Sequence, residues 1–247
     1  LVLMERAALS TAAVLMKNEP RDTRFLAVSG AGNNGGDAVA VARILHEQGY
    51  QAAVTVAAEE SKMSEDLRTQ LALAANCSVP VLPLSSIEDG VFDVLIDGIF
   101  GIGLSREVTG VYRHVIECMN NSGARCYAVD IPSGIDAETG AVLGVAVKAD
   151  VTVTFGVNKQ GLVLHPGCEH AGKVYVMDIG FPKKSVARAV PSAFTYEMSD
   201  LVHMPERYAR SNKGSYGHVL VVAGSKEMSG ACYLAAKAAY RSGAGLV

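Results

Sequence analysis

The sequence predicts an α/β fold, a Rossmann-like three-layer αβα arrangement around a mostly parallel central sheet. Through residue 181, short continuous apolar segments alternate with segments of helical periodicity. Continuous apolar strands are typical of parallel sheets that are buried on both faces. In addition, three loops rich in glycine or small polar residues directly follow such segments, as in α/β proteins whose ligands bind at the carboxyl ends of the strands.

The predicted strands are short apolar runs bounded by turn residues. They are residues 25–28, 52–56, 79–82, 92–96, 126–129, 151–155 and 173–177. The predicted helices have apolar residues spaced three or four apart. They are residues 1–16, 36–48, 64–76 and 111–121. Because crossovers between parallel strands are right-handed, this alternation indicates a sheet with helices on both faces.

The composition indicates a folded chain and excludes several functional classes. Of the 247 residues, 49% are hydrophobic and 19% are charged, which is too apolar for a disordered chain. The formal net charge of −3 offers no basic surface for nucleic acid or anionic membrane, and no apolar run has the length of a membrane span. The five cysteines form no CxxC pair and the six histidines no HExxH motif. We therefore expect free thiols in the reducing cytoplasm and no structural zinc.

The pattern beyond residue 181 predicts the truncated start of a second α/β domain. Pro191 and Pro205 indicate a linker, and a strand at 218–223 and a helix at 231–241 are expected after it. The predicted division is a first domain at 1–185, a linker at 186–210 and a second domain at 211–247. Both ends of the chain look cut, so we expect a fragment of a longer protein.

The first glycine-rich loop, residues 30–37, lies between a predicted strand and a predicted helix. Its glycines have the G-x-G-x-x-G spacing, which places backbone N–H groups and the helix dipole at a phosphate. The same spacing occurs in NAD dehydrogenases, where Glu59 or Glu60 would hold the ribose. A tight turn without a ligand also explains it, so three alternatives stay open for this loop.

The two other loops each follow a strand with an acidic residue. Asp97 begins a glycine-rich loop that extends to Glu107, and Asp130 begins the segment 130–136. Each acid has a simpler explanation as a turn or cap residue. Because the carboxyl ends of parallel strands lie at one edge of a sheet, we expect the three loops to meet there.

The polar side chains of these loops favour a site for an anionic ligand together with a cation. One turn carries three polar side chains, those of Asn33, Asn34 and Asp37. The oxygens of Asn, Asp and Ser are hard ligands, which suit an alkali or alkaline-earth ion better than zinc.

Three segments resemble the signatures of the NAD(P)H-hydrate epimerases, the YjeF N-terminal domain family. They are NNGGD at 33–37, DGIFGIG at 97–103 and VDIPSG at 129–134. The resemblance covers about residues 1–182. It implies a Rossmann-like fold, often dimeric, that interconverts the R and S forms of nicotinamide dinucleotides hydrated at C6 and that binds potassium. Ala38 departs from the family, in which another glycine is usual at this position.

The resemblance also implies roles for individual residues. The implied substrate-binding residues are Asn33, Asn34, Gly35, Gly36, Asp37, Gly101, Ile102, Gly103, Leu104, Ser105, Arg106, Glu107 and Asp130. Asn34, Asp97 and Ser133 are the implied ligands of one potassium ion (K⁺) per domain. Asp130 is our candidate catalytic residue, because one carboxyl group can protonate the leaving hydroxyl and deprotonate the incoming water. Lys159 is a second candidate acid or base, for which a solvated loop lysine is the simpler interpretation.

The end of the chain has a resemblance of its own. Residues 213–225 and 228–231 resemble the start of an ADP- or ATP-dependent NAD(P)H-hydrate dehydratase domain. In bifunctional repair enzymes that domain follows the epimerase. ADP or ATP would serve only the missing dehydratase portion, so no dehydratase activity is expected from residues 211–247.

Two other functional classes stay open, an NAD(P)-dependent oxidoreductase and a non-catalytic binding scaffold of the same fold. The presence of every implied acid, asparagine and serine of the site favours catalysis. The expected partners are NAD(P)H hydrate and further copies of the chain in a homo-oligomer, with no nucleic acid and no membrane.

Overall fold

The computed structural model describes residues 1–191, 193–196, 198–204 and 206–247. The chain forms two compact units, Leu1–Pro191 and Ser192–Val247. The division falls inside the range 186–210, where the sequence predicts a linker. Pro205, which contributes to that prediction, lies outside the described residues.

The first unit is built around a seven-stranded sheet in which all strand pairs are parallel. The strands are β1 Arg24–Ser29, β2 Gln51–Val56, β3 Val81–Leu82, β4 Val94–Gly98, β5 Arg125–Val129, β6 Val151–Phe155 and β7 Lys173–Met177. Their order is β3-β2-β1-β4-β5-β6-β7. The order reverses between β1 and β4, and the crevice beyond the carboxyl ends of such a strand pair is where open α/β sheets bind ligands.

Five helices belong to this unit and a sixth to the second unit, within the described residues. They are α1 Val2–Asn18, α2 Asn33–Glu47, α3 Glu65–Asn76, α4 Gly110–Asn121, α5 Lys183–Arg188 and α6 Gly230–Arg241. The short 3₁₀ helices are Glu60–Lys62, Leu84–Ile87, Gln160–Leu162, Gly167–Glu169, Met198–His203 and Lys213–Tyr216. None of the helices in the described part of the chain combines the length and the apolar character that crossing a membrane requires.

The two faces of the sheet are covered by different helices, which gives the predicted three layers. Phe25 and Ala27 of β1 point to a core formed with α1, α2 and α3. Leu26 and Val28, on the opposite face, pack with Ile116 and other residues of α4. The alternation follows from the two-residue repeat of a strand, and burial on both faces explains why these strands are continuously apolar in sequence.

Helix α2 begins earlier than the sequence predicts. The glycines at 35 and 36 disfavour a helix locally and led to a predicted start at residue 36. In the structure the helix begins at Asn33, and Gly32 in extended conformation is its N-cap. Packing explains the difference, since a Cβ at Gly36 would lie 2.9 Å from the Met4 side chain.

In the second unit, the predicted strand at residues 218–223 was wrong. Within the described residues, this segment pairs only through an isolated bridge between His218 and Leu246. Leu220 and Val222 are each 87% exposed. A strand requires a ladder of hydrogen bonds to a neighbouring strand, and the pairing with Leu246 is a single bridge. The helix predicted at 231–241 is observed as α6.

Helix α2 approaches β4 closely where the site forms. A Cβ at Gly98 would lie 2.3 Å from the Cβ of Ala38 and 2.8 Å from the carbonyl oxygen of Asn34. Ala38 itself is fully buried in the core. The methyl group that replaces the family's usual glycine therefore packs against the sheet.

This contact yields a prediction about stability. The substitution Gly98→Ala should lower the free energy of unfolding by about 1–3 kcal/mol, because the added methyl overlaps atoms of α2. Ala38→Gly alone should cost about 1 kcal/mol through helix propensity, yet in the Gly98→Ala background it should recover part of the loss. Denaturant unfolding of the four variants measures this coupling.

The matched control is Gly103→Ala, because no atom lies within 4 Å of a Cβ built at Gly103. This control should leave the unfolding midpoint nearly unchanged. Additive effects of Gly98→Ala and Ala38→Gly would contradict the proposed contact.

Candidate active site

The loops after β1 and β4 touch where the strand order reverses. The N–H of Gly30 donates to the carbonyl of Gly98 at 3.1 Å. A Cβ at Gly30 would lie 2.0 Å from the carbonyl oxygen of Ile99, so only glycine fits at this contact. The first glycine of the loop therefore serves the packing of two loops, and the cavity opens beside them.

A cavity of about 710 Å³ lies at the carboxyl ends of β1, β4 and β5. Most of the predicted substrate-binding residues line it. They are Asn33, Asn34, Asp37, Gly101, Ile102, Gly103, Leu104, Ser105, Arg106 and Asp130. The loops that the sequence predicts to meet thus contribute to one cavity, with the cationic Arg106 and the acidic Asp37 and Asp130 in its wall.

Three predicted substrate-binding residues do not line this cavity. Gly35 packs against the backbone of Gly30, whose oxygen would lie 2.4 Å from a Cβ at residue 35. Gly36 packs against Met4. Glu107 is exposed at the end of its loop. The two glycines let the start of α2 pack closely, and their side of the helix faces the protein interior.

The three predicted potassium ligands are joined through the backbone of Phe100. Ser133 donates its hydroxyl hydrogen to Asp97 Oδ1 at 2.6 Å, and its backbone N–H donates to Asp97 Oδ2 at 2.8 Å. The N–H of Phe100 donates to Ser133 Oγ at 2.8 Å. The amide of Asn34 donates to the carbonyl of Phe100 at 2.9 Å. Polar atoms from the three loops therefore converge at this point, and Asn34 contributes its amide nitrogen.

Asp97 is fully buried at the end of β4. Asp97 also accepts a hydrogen bond from the N–H of Ile99 at 3.1 Å. This contact is the one expected of an aspartate that stabilises a turn. Burial raises the pKa of Asp97 to about 6, and the hydrogen bonds from Ser133 and Ile99 oppose this rise. Asp97 and Ser133 lie behind the cavity wall and are connected to it through Phe100.

Asp130 directly follows β5 in a backbone conformation that few residues adopt. Its φ is +68°, in the left-handed region that aspartate tolerates better than most side chains. Lys159 donates to Asp130 Oδ1 at 2.7 Å, and the hydroxyl of Thr154 lies 3.3 Å from the same oxygen. The carboxylate is therefore directed at the cavity while it is held by an ion pair.

The interpretation of Lys159 as a solvated loop lysine was wrong. Its side chain is 15% exposed. Besides Asp130, its ammonium donates to Thr154 Oγ1 at 2.8 Å and to the carbonyl of Phe155 at 3.0 Å. All three ammonium hydrogens thus have acceptors. Only Asp130 carries a formal negative charge among them, which accounts for the close ion pair.

Asp37 lies in the second turn of α2 and faces the same cavity. No hydrogen-bond donor to its carboxyl group occurs among the described residues. Burial raises the pKa of Asp37 to about 8, with smaller contributions from the negative charges of Asp130 and Asp66. The amino group of Leu1 acts in the opposite direction. The surroundings of Asp37 therefore favour its protonated form.

A second cavity of about 380 Å³ adjoins the first. Its wall combines Asp130 and Lys159 with apolar side chains that include Met4, Phe155 and Phe181. The polar groups therefore face a space whose other walls are apolar, a combination that is typical of small-molecule sites.

Sequence reasoning missed the roles of Phe100 and Thr154. Phe100 acts through its backbone carbonyl and N–H, which no side-chain pattern reveals. Thr154 is fully buried in β6 and looks like an ordinary strand residue. Its position in the strand that ends beside Asp130 was the available signal, and it became informative only once the strand order was known.

The acid that a dehydrogenase would use for the ribose is not at the cavity. Glu59 is exposed and pairs with Lys62 at 3.0 Å, and Glu60 is exposed in a 3₁₀ helix. Neither lines either of the two cavities. Within the described residues, no three or more His, Cys, Asp and Glu side chains are grouped to hold a metal ion.

The first unit is similar to proteins of known family. The family model of the YjeF-related protein N-terminus matches residues 1–161. A bifunctional NAD(P)H-hydrate repair enzyme from Thermofilum pendens is 38% identical over 251 residues, which cover 99% of this chain and 47% of the relative. An NAD(P)H-hydrate epimerase from Limosilactobacillus fermentum is 44% identical over 178 residues, which cover 72% of this chain and 85% of the relative.

A yeast protein of known crystal structure has the same fold, with a TM-score of 0.66 at 24% identity. The match covers 80% of this chain and 87% of the yeast protein. The chain spans about half the length of the bifunctional relatives that it matches. The family model and the identity to these relatives show that the chain belongs to the YjeF N-terminal domain family.

Proposed function

We propose that the first unit is an NAD(P)H-hydrate epimerase, which interconverts the R and S forms of the C6-hydrated dinucleotide. The observation that carries the proposal is the Asp130–Lys159 pair at the end of β5, in the wall of a cavity that also contains the start of α2. Relatives that bear the name NAD(P)H-hydrate epimerase are 41–44% identical over this unit.

The reaction requires two proton transfers at one carbon. In the hydrate, C6 carries a hydroxyl and is bonded to the ring nitrogen. The nitrogen lone pair expels the hydroxyl once it is protonated, and a planar cation remains. Water then attacks the cation from the opposite face and loses a proton. General acid–base groups positioned at this carbon accelerate such steps by about 10²–10⁴-fold.

Asp130 is the group that we assign to the reacting carbon. Its carboxylate lines both cavities, and Lys159 forms an ion pair with it at 2.7 Å. An ionised carboxylate can accept the proton of the attacking water. The fixed position of Lys159, set by Thr154 and Phe155, orients the carboxylate. Lys159 therefore acts as a positioning residue for Asp130.

The start of α2 and the loop after β4 suit the phosphates of the dinucleotide. The first N–H groups of a helix have no acceptors within the helix, so the turn at Asn33 and Asn34 offers them to an anion. Gly101 and Gly103 allow close approach of the backbone, and Arg106 adds a positive charge to the cavity wall. Gly35, Gly36 and Glu107 would act indirectly, by shaping these segments.

Potassium is the cation that we assign to the oxygens around Phe100. Asn34, Asp97 and Ser133 supply an amide, a carboxylate and a hydroxyl, and the Phe100 carbonyl adds a fourth oxygen. These hard neutral donors with a single carboxylate fit a monovalent ion. A bound cation would compensate the buried charge of Asp97 and hold the loop of residues 101–107 for phosphate binding.

Further properties extend the proposal beyond the first unit. Since the bifunctional relatives are about twice as long, the complete protein would also act as an ADP- or ATP-dependent dehydratase on the S form. We propose a cytoplasmic location, which suits the free thiols of all five cysteines. We also propose a homo-oligomer, as the family resemblance implies.

The activity itself is tested with a mixture of the R and S hydrates. A separate dehydratase removes the S form continuously, and chromatography follows the R form. Addition of the protein should accelerate the loss of the R form at least tenfold over the spontaneous rate. Loss of the R form at the spontaneous rate, together with NADH formation from NAD⁺ and an alcohol or hydroxy acid, would instead support the oxidoreductase.

The substitution Asp130→Asn should lower kcat by about 10²-fold or more, because the proton acceptor is removed while the shape of the site is kept. The KM should change little. The matched control is Asp136→Asn, since Asp136 lies in the same segment but accepts its bonds from Glu138 and Thr139 within its own turn. Equal losses in both variants would remove Asp130 from the reaction.

Potassium should raise both the epimerase rate and the melting temperature in a saturable manner. Choline chloride at equal ionic strength is the control for screening, and Ser133→Ala should weaken the response by removing one ligand. The melting temperature reports binding without any activity. Identical melting curves in potassium and choline would contradict the cation site.

A further inference from the structure

Asp37 occupies a special position between the two cavities. Four residues line both of them, namely Asn33, Asp37, Ile102 and Asp130. The cavities therefore adjoin along these residues, and their carboxyl groups belong to Asp37 and Asp130 alone. A dinucleotide whose phosphates lie in the larger cavity and whose ring enters the smaller one passes both carboxyl groups.

The two carboxyl groups have opposite surroundings. Asp130 forms an ion pair with Lys159 at 2.7 Å. Asp37 forms no ion pair with any of the described residues. It faces Asp130 across the cavity region, Asp66 on α3 and the amino group of Leu1 at the start of α1. Burial and the two neighbouring acids raise the pKa of Asp37 to about 8, and the Leu1 amino group opposes them. One site thus combines a carboxyl group that is paired with a cation and a buried carboxyl group whose pKa is raised.

Epimerisation requires both functions. The hydroxyl leaves from one face of the ring and the water arrives on the other, so a single carboxyl group would have to serve both faces. We propose that Asp37 is a second catalytic residue of the site, which protonates the leaving hydroxyl while Asp130 receives the proton of the attacking water. This inference rests on the proposed epimerase function and deepens it.

The steps balance without a further reagent. The Asp37 carboxyl group transfers its proton to the hydroxyl on C6, the C6–O bond breaks, and water leaves as the ring nitrogen shares its lone pair with C6. A second water forms the new C6–O bond on the opposite face and transfers a proton to the Asp130 carboxylate. The enzyme now has Asp130 protonated and Asp37 ionised. Before the next turnover Asp130 releases its proton to solvent and Asp37 takes up a proton from solvent; alternatively, the reverse reaction starts from this state.

The test compares the pH profile of kcat for the wild type with those of Asp37→Asn and Asp37→Glu, in the coupled assay and with spontaneous conversion subtracted. The wild-type kcat should fall above about pH 8, where Asp37 loses its proton. Asp37→Asn should lower kcat at pH 7 at least tenfold and lose this alkaline limb. Asp37→Glu should restore a titrating limb and part of the rate.

Asp66→Asn is the matched control on the neighbouring helix. It removes one of the charges that raise the pKa of Asp37, so it should shift the alkaline limb to lower pH and leave the limb present. Circular dichroism and melting temperature establish that each variant is folded.

The outcomes separate the two proposals. A wild type without epimerase activity at any pH would refute the proposed function. An active wild type whose Asp37→Asn variant keeps its kcat, or keeps the alkaline limb with only KM raised, would refute the role of Asp37 and leave the epimerase function standing.

Discussion

The buried carboxylate of Asp97 is the constraint on which the site depends. It is fully enclosed at the end of β4, and such a group is costly unless hydrogen bonds satisfy it. Its donors come from Ser133, in the loop after β5, and from Ile99 in its own loop. Two neighbouring loops are thereby fixed to one carboxylate. Phe100 extends the connection to Asn34 on α2, so three segments share one hydrogen-bonded unit.

Close backbone contacts supply the second part of this arrangement. Gly30 lies against Ile99, and Gly98 lies against Ala38, at distances that exclude larger side chains. The position of α2 relative to β4 is therefore set by the contact of Gly98 with Ala38, neither of which lines the cavity. Since Asn33 and Asp37 belong to the first two turns of α2, the same packing places the turn that we propose for phosphate binding beside the carboxyl group of Asp37.

The sequence predicted the fold well because its main signals are local. The central strands β1, β4 and β5 are largely apolar runs, and their burial on both faces requires this pattern. The second unit shows the limit of the same signal, since residues 218–223 have the composition of a strand but find no ladder of partners among the described residues. Apolar composition indicates a need for burial, whereas a strand also depends on which neighbours are available.

The candidate site was predictable in its parts and less so in its connections. Motifs located Asp97 and Asp130, because acids at strand ends are visible in the sequence. The environment of Lys159 was not visible, since its partners Thr154 and Asp130 are brought to it by the order of β5 and β6. The contribution of Phe100 is made by backbone atoms, which carry no sequence signature.

The different surroundings of Asp130 and Asp37 follow from the secondary-structure elements that carry them. Asp130 ends a central strand, and the neighbouring strand β6 ends where Lys159 can turn back to it, so this acid is paired. Asp37 projects from a helix that packs against α1 and α3, whose nearest contributions are apolar side chains and a further acid, Asp66. One cavity therefore contains a paired and an unpaired acid because of the layered architecture. Lys159, which follows β6, pairs with Asp130, whereas α3 places the acidic Asp66 near Asp37. A substitution that placed a cation on α3 near Asp37 would remove this difference without changing Asp37 or Asp130 themselves.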